Sequence, residues 1–357
     1  NEVKANLYRP LAIGLFVGMC LVTLQVPLGH GVFLLIDGSD AVESAALSYF
    51  QIRILAAPIS LANLVIAGFL LGQQQTRTLL GIQLILNGTN ILLDFLFVVA
   101  FDWGITGVAS ATVIAECLAL VAGSIVIVHG FYRDGITFKL PFHQLLDATS
   151  LKRLFTLNRD IMIRTLCLIF AFAWFTNQGA KSGDVILAAN AILMQFVTFS
   201  AFFLDGFALS AEILVGHAIG SRDRDRLDRS IKYCTQLGIG TAILLSIVFV
   251  LTAMPVVTVL TNVVAVQAIC REFLVWVVLA PPISVACYIL DGIFIGATRS
   301  TEMRNAMVVS LAVFLGAWYL LHGWFGNHGL WAALMLYYLA RAGTLYYYLA
   351  NVRANFQ

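Results

Sequence analysis

Long apolar runs follow one another along this chain, parted by short polar connections. They lie at about 11–35, 47–72, 78–101, 104–129, 161–181, 185–218, 231–253, 265–296, 305–325 and 328–349. A run of roughly 20 apolar residues carries a helix across a hydrocarbon core about 30 Å thick. In lipid, only helices and closed barrels satisfy their own backbone polar groups. These runs far exceed the ~10 residues of a barrel strand and seldom alternate polar with apolar. The pattern predicts an all-α polytopic membrane protein with ten transmembrane helices.

The connections alternate in charge. One set carries Lys4 and Arg9; Arg77; Arg133, Lys139, Lys152, Arg153 and Arg159; Arg222, Arg224, Arg226, Arg229 and Lys232; Arg299 and Arg304; and Arg353. The other set is nearly free of basic groups and includes Asp37, Asp40, Glu43, Asp102 and Asp184. Basic connections stay on the cytoplasmic side, so both ends of this chain are expected there. The longest basic connection divides the chain into a first lobe at 1–130 with four helices, a linker at 131–158 and a second lobe at 159–357 with six.

Two stretches repeat. Pro58-Ile-Ser-Leu-Ala-Asn-Leu-Val-Ile-Ala-Gly68-Phe-Leu-Leu-Gly72 aligns with Pro282-Ile-Ser-Val-Ala-Cys-Tyr-Ile-Leu-Asp-Gly292-Ile-Phe-Ile-Gly296 at an offset of 224. Gly104-Ile-Thr-Gly107 aligns with Gly326-Asn-His-Gly329 at 222. The offset carries the second span onto the eighth and the fourth onto the tenth, so the repeat unit is six helices. An even number gives both copies the same orientation, as in parallel-repeat transporters. The first copy shows only four spans, from which two further helices are expected ahead of Asn1.

Composition agrees with lipid as the solvent: 60% of residues are hydrophobic, 11% are charged and the mean hydropathy is +0.90, against nearly a quarter charged in soluble domains. Cys20, Cys117, Cys167, Cys234, Cys270 and Cys287 are scattered singly, with no CxxC or CxxxH spacing that would suggest a metal or redox site. No GxxxxGK[ST] motif or nucleotide-binding domain is present to act as a motor. No nucleophile–base pair converges in a motif. The expected protein is a carrier, not an enzyme, with no cofactor and with an ion gradient as its energy source.

Polar residues inside the apolar runs sharpen this. Asn87, Asn90 and Asp94 recur at helical spacing in Asn87-Gly-Thr-Asn90-Ile-Leu-Leu-Asp94, so they share one helix face. An aspartate in mid-membrane costs about 2.5–3.5 kcal/mol on insertion scales, so that face is expected to point inward. Asp205 and Glu212 lie seven apart in the sixth span, Asp291 in the eighth and Glu116 in the fourth. For each acid an ion or substrate site is one reading; the other is interhelical polar bonding for Asp94 and a solvated helix end for Glu212, with Glu116 the same kind of case. For Asp205 and Asp291 the second reading is a structural pair with Arg164 or another basic group.

Asn90-xxx-Asp94, Gly104-Ile-Thr-Gly-Val-Ala-Ser-Ala-Thr112, Leu157-Asn-Arg-Asp-Ile-Met162, Leu204-Asp-Gly-Phe207 and Leu290-Asp-Gly-Ile-Phe-Ile-Gly-Ala-Thr-Arg-Ser-Thr-Glu-Met-Arg-Asn305 resemble the multidrug and toxic compound extrusion (MATE) family, and more narrowly its DinF-like branch. The resemblance covers essentially the whole chain. It implies a twelve-helix, two-lobe architecture of which this chain supplies helices three to twelve. It also implies export of organic cations or other amphipathic toxins against protons or sodium. An ion-coupling cluster is then expected at Asn63, Asn90, Asp94 and Thr112, with sodium at Asp94 as the one conceivable metal ion. Asp205, Asp291 and Glu212 are candidates for a second ion or substrate site in the other lobe. The implied setting is the bacterial inner membrane, with lipids and small amphipathic or cationic molecules as partners, no nucleic acid and a monomeric state. Two alternatives are a flippase of lipid-linked precursors, which shares this architecture, and a non-transporting truncated remnant.

Overall fold

The computed structural model describes residues 2–33, 40–133, 135 and 148–354, and its regular structure is helical, with no strand among the described residues. The chain divides into two compact units, Asn1–Ala148 and Thr149–Gln357.

The first unit holds α1 (Glu2–Thr23), α2 (Gln25–Phe33), α3 (Asp40–Leu55), α4 (Ala57–Gly72), α5 (Thr76–Asp94) and α6 (Gly104–Arg133). The apolar run 11–35 breaks at Leu24, and the run 47–72 consists of two helices, α3 and α4, bent by 55° around Ala56. Pro58 supplies the cause: it sits in the first turn of α4, where a missing N–H goes unnoticed, but it cannot donate back into α3. Beyond Asp94, α5 continues as a π-helix over Phe95–Ala100. Leu7, Ile66, Leu70, Ile82, Ala119, Ile127 and Phe131 form the apolar core of this unit.

The second unit holds α7 (Ala148–Lys181), α8 (Asp184–Gly220), α9 (Arg224–Leu260), α10 (Val264–Gly296) and α11 (Ser300–Ala354). Residues 134 and 136–147 of the expected linker 131–158 lie outside the described residues, and α7 already begins at Ala148. Among the described residues eight helices are long and apolar enough to cross a membrane, and α3–α4 adds a ninth as a bent pair. The 55-residue α11 counts once in that total, yet its helical path breaks at Gly326, between the two runs 305–325 and 328–349.

α10 packs against α8, α9 and α11. Its approach to α8 is close because Gly292 and Gly296 face the backbone of Ala208 and Glu212; a Cβ at Gly292 would overlap the Ala208 carbonyl group. Gly292→Ala is therefore expected to push α8 and α10 apart and to destabilise this unit by about 1–3 kcal/mol, the usual penalty of overpacking. Thermal unfolding in detergent checks this. Gly240→Ala on α9, where an added methyl meets nothing within 4 Å, is expected to leave the midpoint unchanged or raise it.

The repeat is also visible in the backbone. Gln74 and Thr298, 224 apart, both take positive φ (58° and 55°), as do Gly104 and Gly326 (53° and 52°). The turn after α4 is closed by Gln73 N–H to Phe69 O, Gln74 N–H to Leu71 O and Gln75 N–H to Leu70 O. After α10 the same three bonds recur from Ala297, Thr298 and Arg299 to Ile293, Ile295 and Phe294. Each set ties off the free carbonyls of a helix C-terminus through a left-handed residue.

Candidate functional site

In the first unit the polar residues of four helices converge. On α6, Thr112 and Glu116 stand one turn apart. Thr112 Oγ1 accepts from Asn90 Nδ2 of α5 at 3.2 Å and donates to Val108 O. Glu116 gathers the rest. Its Oε1 accepts from Arg53 Nη2 at 2.9 Å, its Oε2 from Ser60 Oγ at 2.5 Å, and its backbone oxygen from Asn63 Nδ2 at 2.8 Å. Of the expected cluster, then, Asn90 and Thr112 meet directly, while Asn63 bonds to Glu116.

Asp94 bonds none of them. Its Oδ1 is shielded from solvent yet has no hydrogen-bond partner among the described residues, although buried polar atoms nearly always have one. The π-helix begins at the next residue, Phe95. Such bulges are rare and recur at functional sites.

In the second unit the acids separate. Asp291, on α10, is buried and held from two sides: Arg164 Nη2 of α7 lies 2.6 Å from its Oδ2, and Arg341 of α11 bonds both of its oxygens. The structural pair with Arg164 is thus present, with Arg341 as a second partner that the sequence reading did not single out. Asp205, on α8, is exposed within this unit and lies near enough to Arg341 and Arg164 to feel both charges. Glu212 is half-buried two turns along α8 and feels Arg164.

Asp160, more than three turns into α7, is wholly buried. It accepts from Arg304 Nη1 at 2.8 Å, Thr301 Oγ1 at 2.9 Å, Arg159 Nη2 at 3.1 Å and Ser300 Oγ at 3.4 Å. Where α11 breaks, Asn327 exchanges two bonds with Asn190 of α8, and Trp331 Nε1 donates to the same Asn190. The motifs Leu157–Met162, Leu290–Asn305 and Gly326–Gly329 contain Asp160, Ser300, Thr301, Arg304 and Asn327, but nothing in their spacing pairs Asp160 with Arg304 or Asn327 with Asn190. Arg53 and Arg341 did carry a signal: a lone arginine inside an apolar run needs a carboxylate. The six cysteines are free thiols, and among the described residues no group of three His, Cys, Asp or Glu could hold a metal ion.

Apolar helices of membrane-crossing length, with carboxylates and guanidinia paired between them, define a polytopic helical membrane protein. The chain belongs to the MatE family, whose model matches residues 1–96 and 161–317. It is 39% identical to DNA damage-inducible protein F of Escherichia coli (strain K12) over 346 residues, which span 97% of this chain and 74% of that relative. This agrees with the DinF-like branch that its motifs resemble. Protein DETOXIFICATION 42 of Arabidopsis thaliana is 24% identical over 332 residues, 93% of this chain and 62% of the relative. Among solved structures, a MOP superfamily transporter from Pyrococcus furiosus superposes with a TM-score of 0.88 at 15% identity, over 99% of this chain and 79% of its own. A Vibrio cholerae MATE transporter superposes with 0.85 at 18%, over 99% and 84%. At such identities these two likenesses speak for the fold alone. The family is one of transporters, not enzymes.

Proposed function

We propose that the protein is a secondary active multidrug exporter of the bacterial inner membrane, antiporting organic cations or other amphipathic toxins against protons or sodium. The observation that carries this reading is Asp94. A buried carboxylate oxygen without a donor, one helix turn from the Asn90–Thr112 bond, is suited to take up a proton or a small cation. Carboxylate, carboxamide and hydroxyl oxygens are the hard ligands that sodium takes. A flippase of anionic lipid-linked precursors would call on inward-facing guanidinia, and Arg164 and Arg341 are both engaged by Asp291.

The test is transport by the purified protein in proteoliposomes. Under an imposed inward gradient of protons or of sodium, a fluorescent organic cation is expected to move outward faster than in protein-free vesicles. No movement under either gradient would overturn the reading in favour of the non-transporting alternative.

A further inference from the structure

We propose that Glu116 is a positioning residue of the ion-coupling site. Through bonds from Arg53 and Ser60 to its carboxylate, it fastens both halves of the bent pair α3–α4 to α6, and so sets where Thr112 stands relative to Asn90 and Asp94. The inference rests on the reading of Asp94 above and adds a division of labour between two buried acids.

Three observations carry it. First, the contacts straddle the bend. Arg53 precedes Ala56 and Ser60 follows it, and both bond the Glu116 carboxylate, while Asn63 bonds the backbone oxygen of the same residue. A 55° bend between two short helices has little of its own to hold it, since Pro58 has no N–H to donate back into α3. Second, the two acids differ in their bonding. Both carboxylate oxygens of Glu116 have donors, while Asp94 Oδ1 has none among the described residues. A proton on Glu116 would leave the Arg53 charge without its counter-charge in a poorly solvated place, the side chains being 25% and 13% exposed. Asp94 loses no such partner when it binds a proton or an ion. Third, the two acids are joined by short steps. Glu116 is one turn from Thr112, Thr112 is bonded to Asn90, and Asn90 is one turn from Asp94. A displacement of α4 or α6 at Glu116 therefore reaches the residues beside Asp94 through packed and bonded groups.

The experiment measures gradient-driven exchange and thermal unfolding of the same reconstituted variants. Glu116→Gln is expected to raise the ion concentration for half-maximal exchange by about tenfold, the scale set by losing one charge-assisted bond, with the maximal rate held within about twofold. Arg53→Lys keeps the charge and is expected to behave as the wild type. The double variant Arg53→Gln, Glu116→Gln is expected to be no worse than Glu116→Gln alone, because one interaction is lost in each case.

An ion dependence unmoved by Glu116→Gln, with only the unfolding temperature lowered, would show a merely structural pair and overturn the proposal. So would complete loss of exchange in a folded Glu116→Gln protein, since Glu116 would then itself exchange the ion. If Glu116→Gln does not fold, Arg53→Gln is read against the same two outcomes. Retained exchange in Asp94→Asn would count against the role of Asp94, whereas an unmoved ion dependence in Glu116→Gln counts against Glu116 alone.

Discussion

Asp94→Asn is expected to abolish ion-driven efflux while leaving the protein folded. Asparagine matches aspartate in size and can still accept a bond, but it carries no titrating oxygen and no charge. Asp94 makes no bond through Oδ1 that the substitution would break, so the loss falls on function and not on packing. Efflux of a fluorescent cation from proteoliposomes, under imposed proton and sodium gradients in turn, measures the effect. Asp102→Asn, in the exposed turn after α5, is the matched control and is expected to transport at the wild-type rate. Wild-type exchange in Asp94→Asn would remove Asp94 from the mechanism.

Asp160→Ala is expected to have the largest effect on stability. The carboxylate is wholly buried and has four partners, two of them guanidinia. Removing one member of a buried charge pair costs about 3–5 kcal/mol, because the remaining charge is left without compensation. Here Arg304 and the hydroxyls of Ser300 and Thr301 lose their acceptor together. α7 at Asp160 would then no longer be tied to the start of α11. The unfolding midpoint in detergent should fall steeply, and the α10–α11 turn should become sensitive to protease. Asp160→Asn, which keeps an acceptor but not the charge, should lie between the wild type and Asp160→Ala. An unchanged midpoint in Asp160→Ala would mean that the cluster contributes nothing to stability.

Much of the fold was legible before any coordinates. Apolar run length reports on membrane crossing directly, since the bilayer imposes it on every span, and the paired Pro–Ile–Ser and glycine positions exposed the repeat. The bends were less legible. The run 47–72 reads as one helix because its apolar pattern continues through Ala56, and the π-turn after Asp94 leaves no mark in composition. Of the expected cluster, Asn90 and Thr112 do meet, while Asn63 bonds Glu116. Glu116 was left open by the sequence, because an acid one turn from Thr112 fits equally a coupling site and a solvated or paired position.

What the linear pattern settles is what each residue cannot do alone: Asp94, Glu116, Asp291 and Arg341 sit in apolar runs where an uncompensated charge is costly. Which partner meets that cost is decided by residues far along the chain. Arg53 is 63 positions from Glu116, and Arg341 is 50 from Asp291. Such pairings exist only once bends, glycine contacts and helix crossings have brought the segments together. Four acids and bases that look alike in sequence therefore end as two locked clusters and one carboxylate, Asp94, with an oxygen left unbonded among the described residues. Burial is a local property that apolar periodicity reveals, whereas compensation is a relation between distant segments that only the packed helices create.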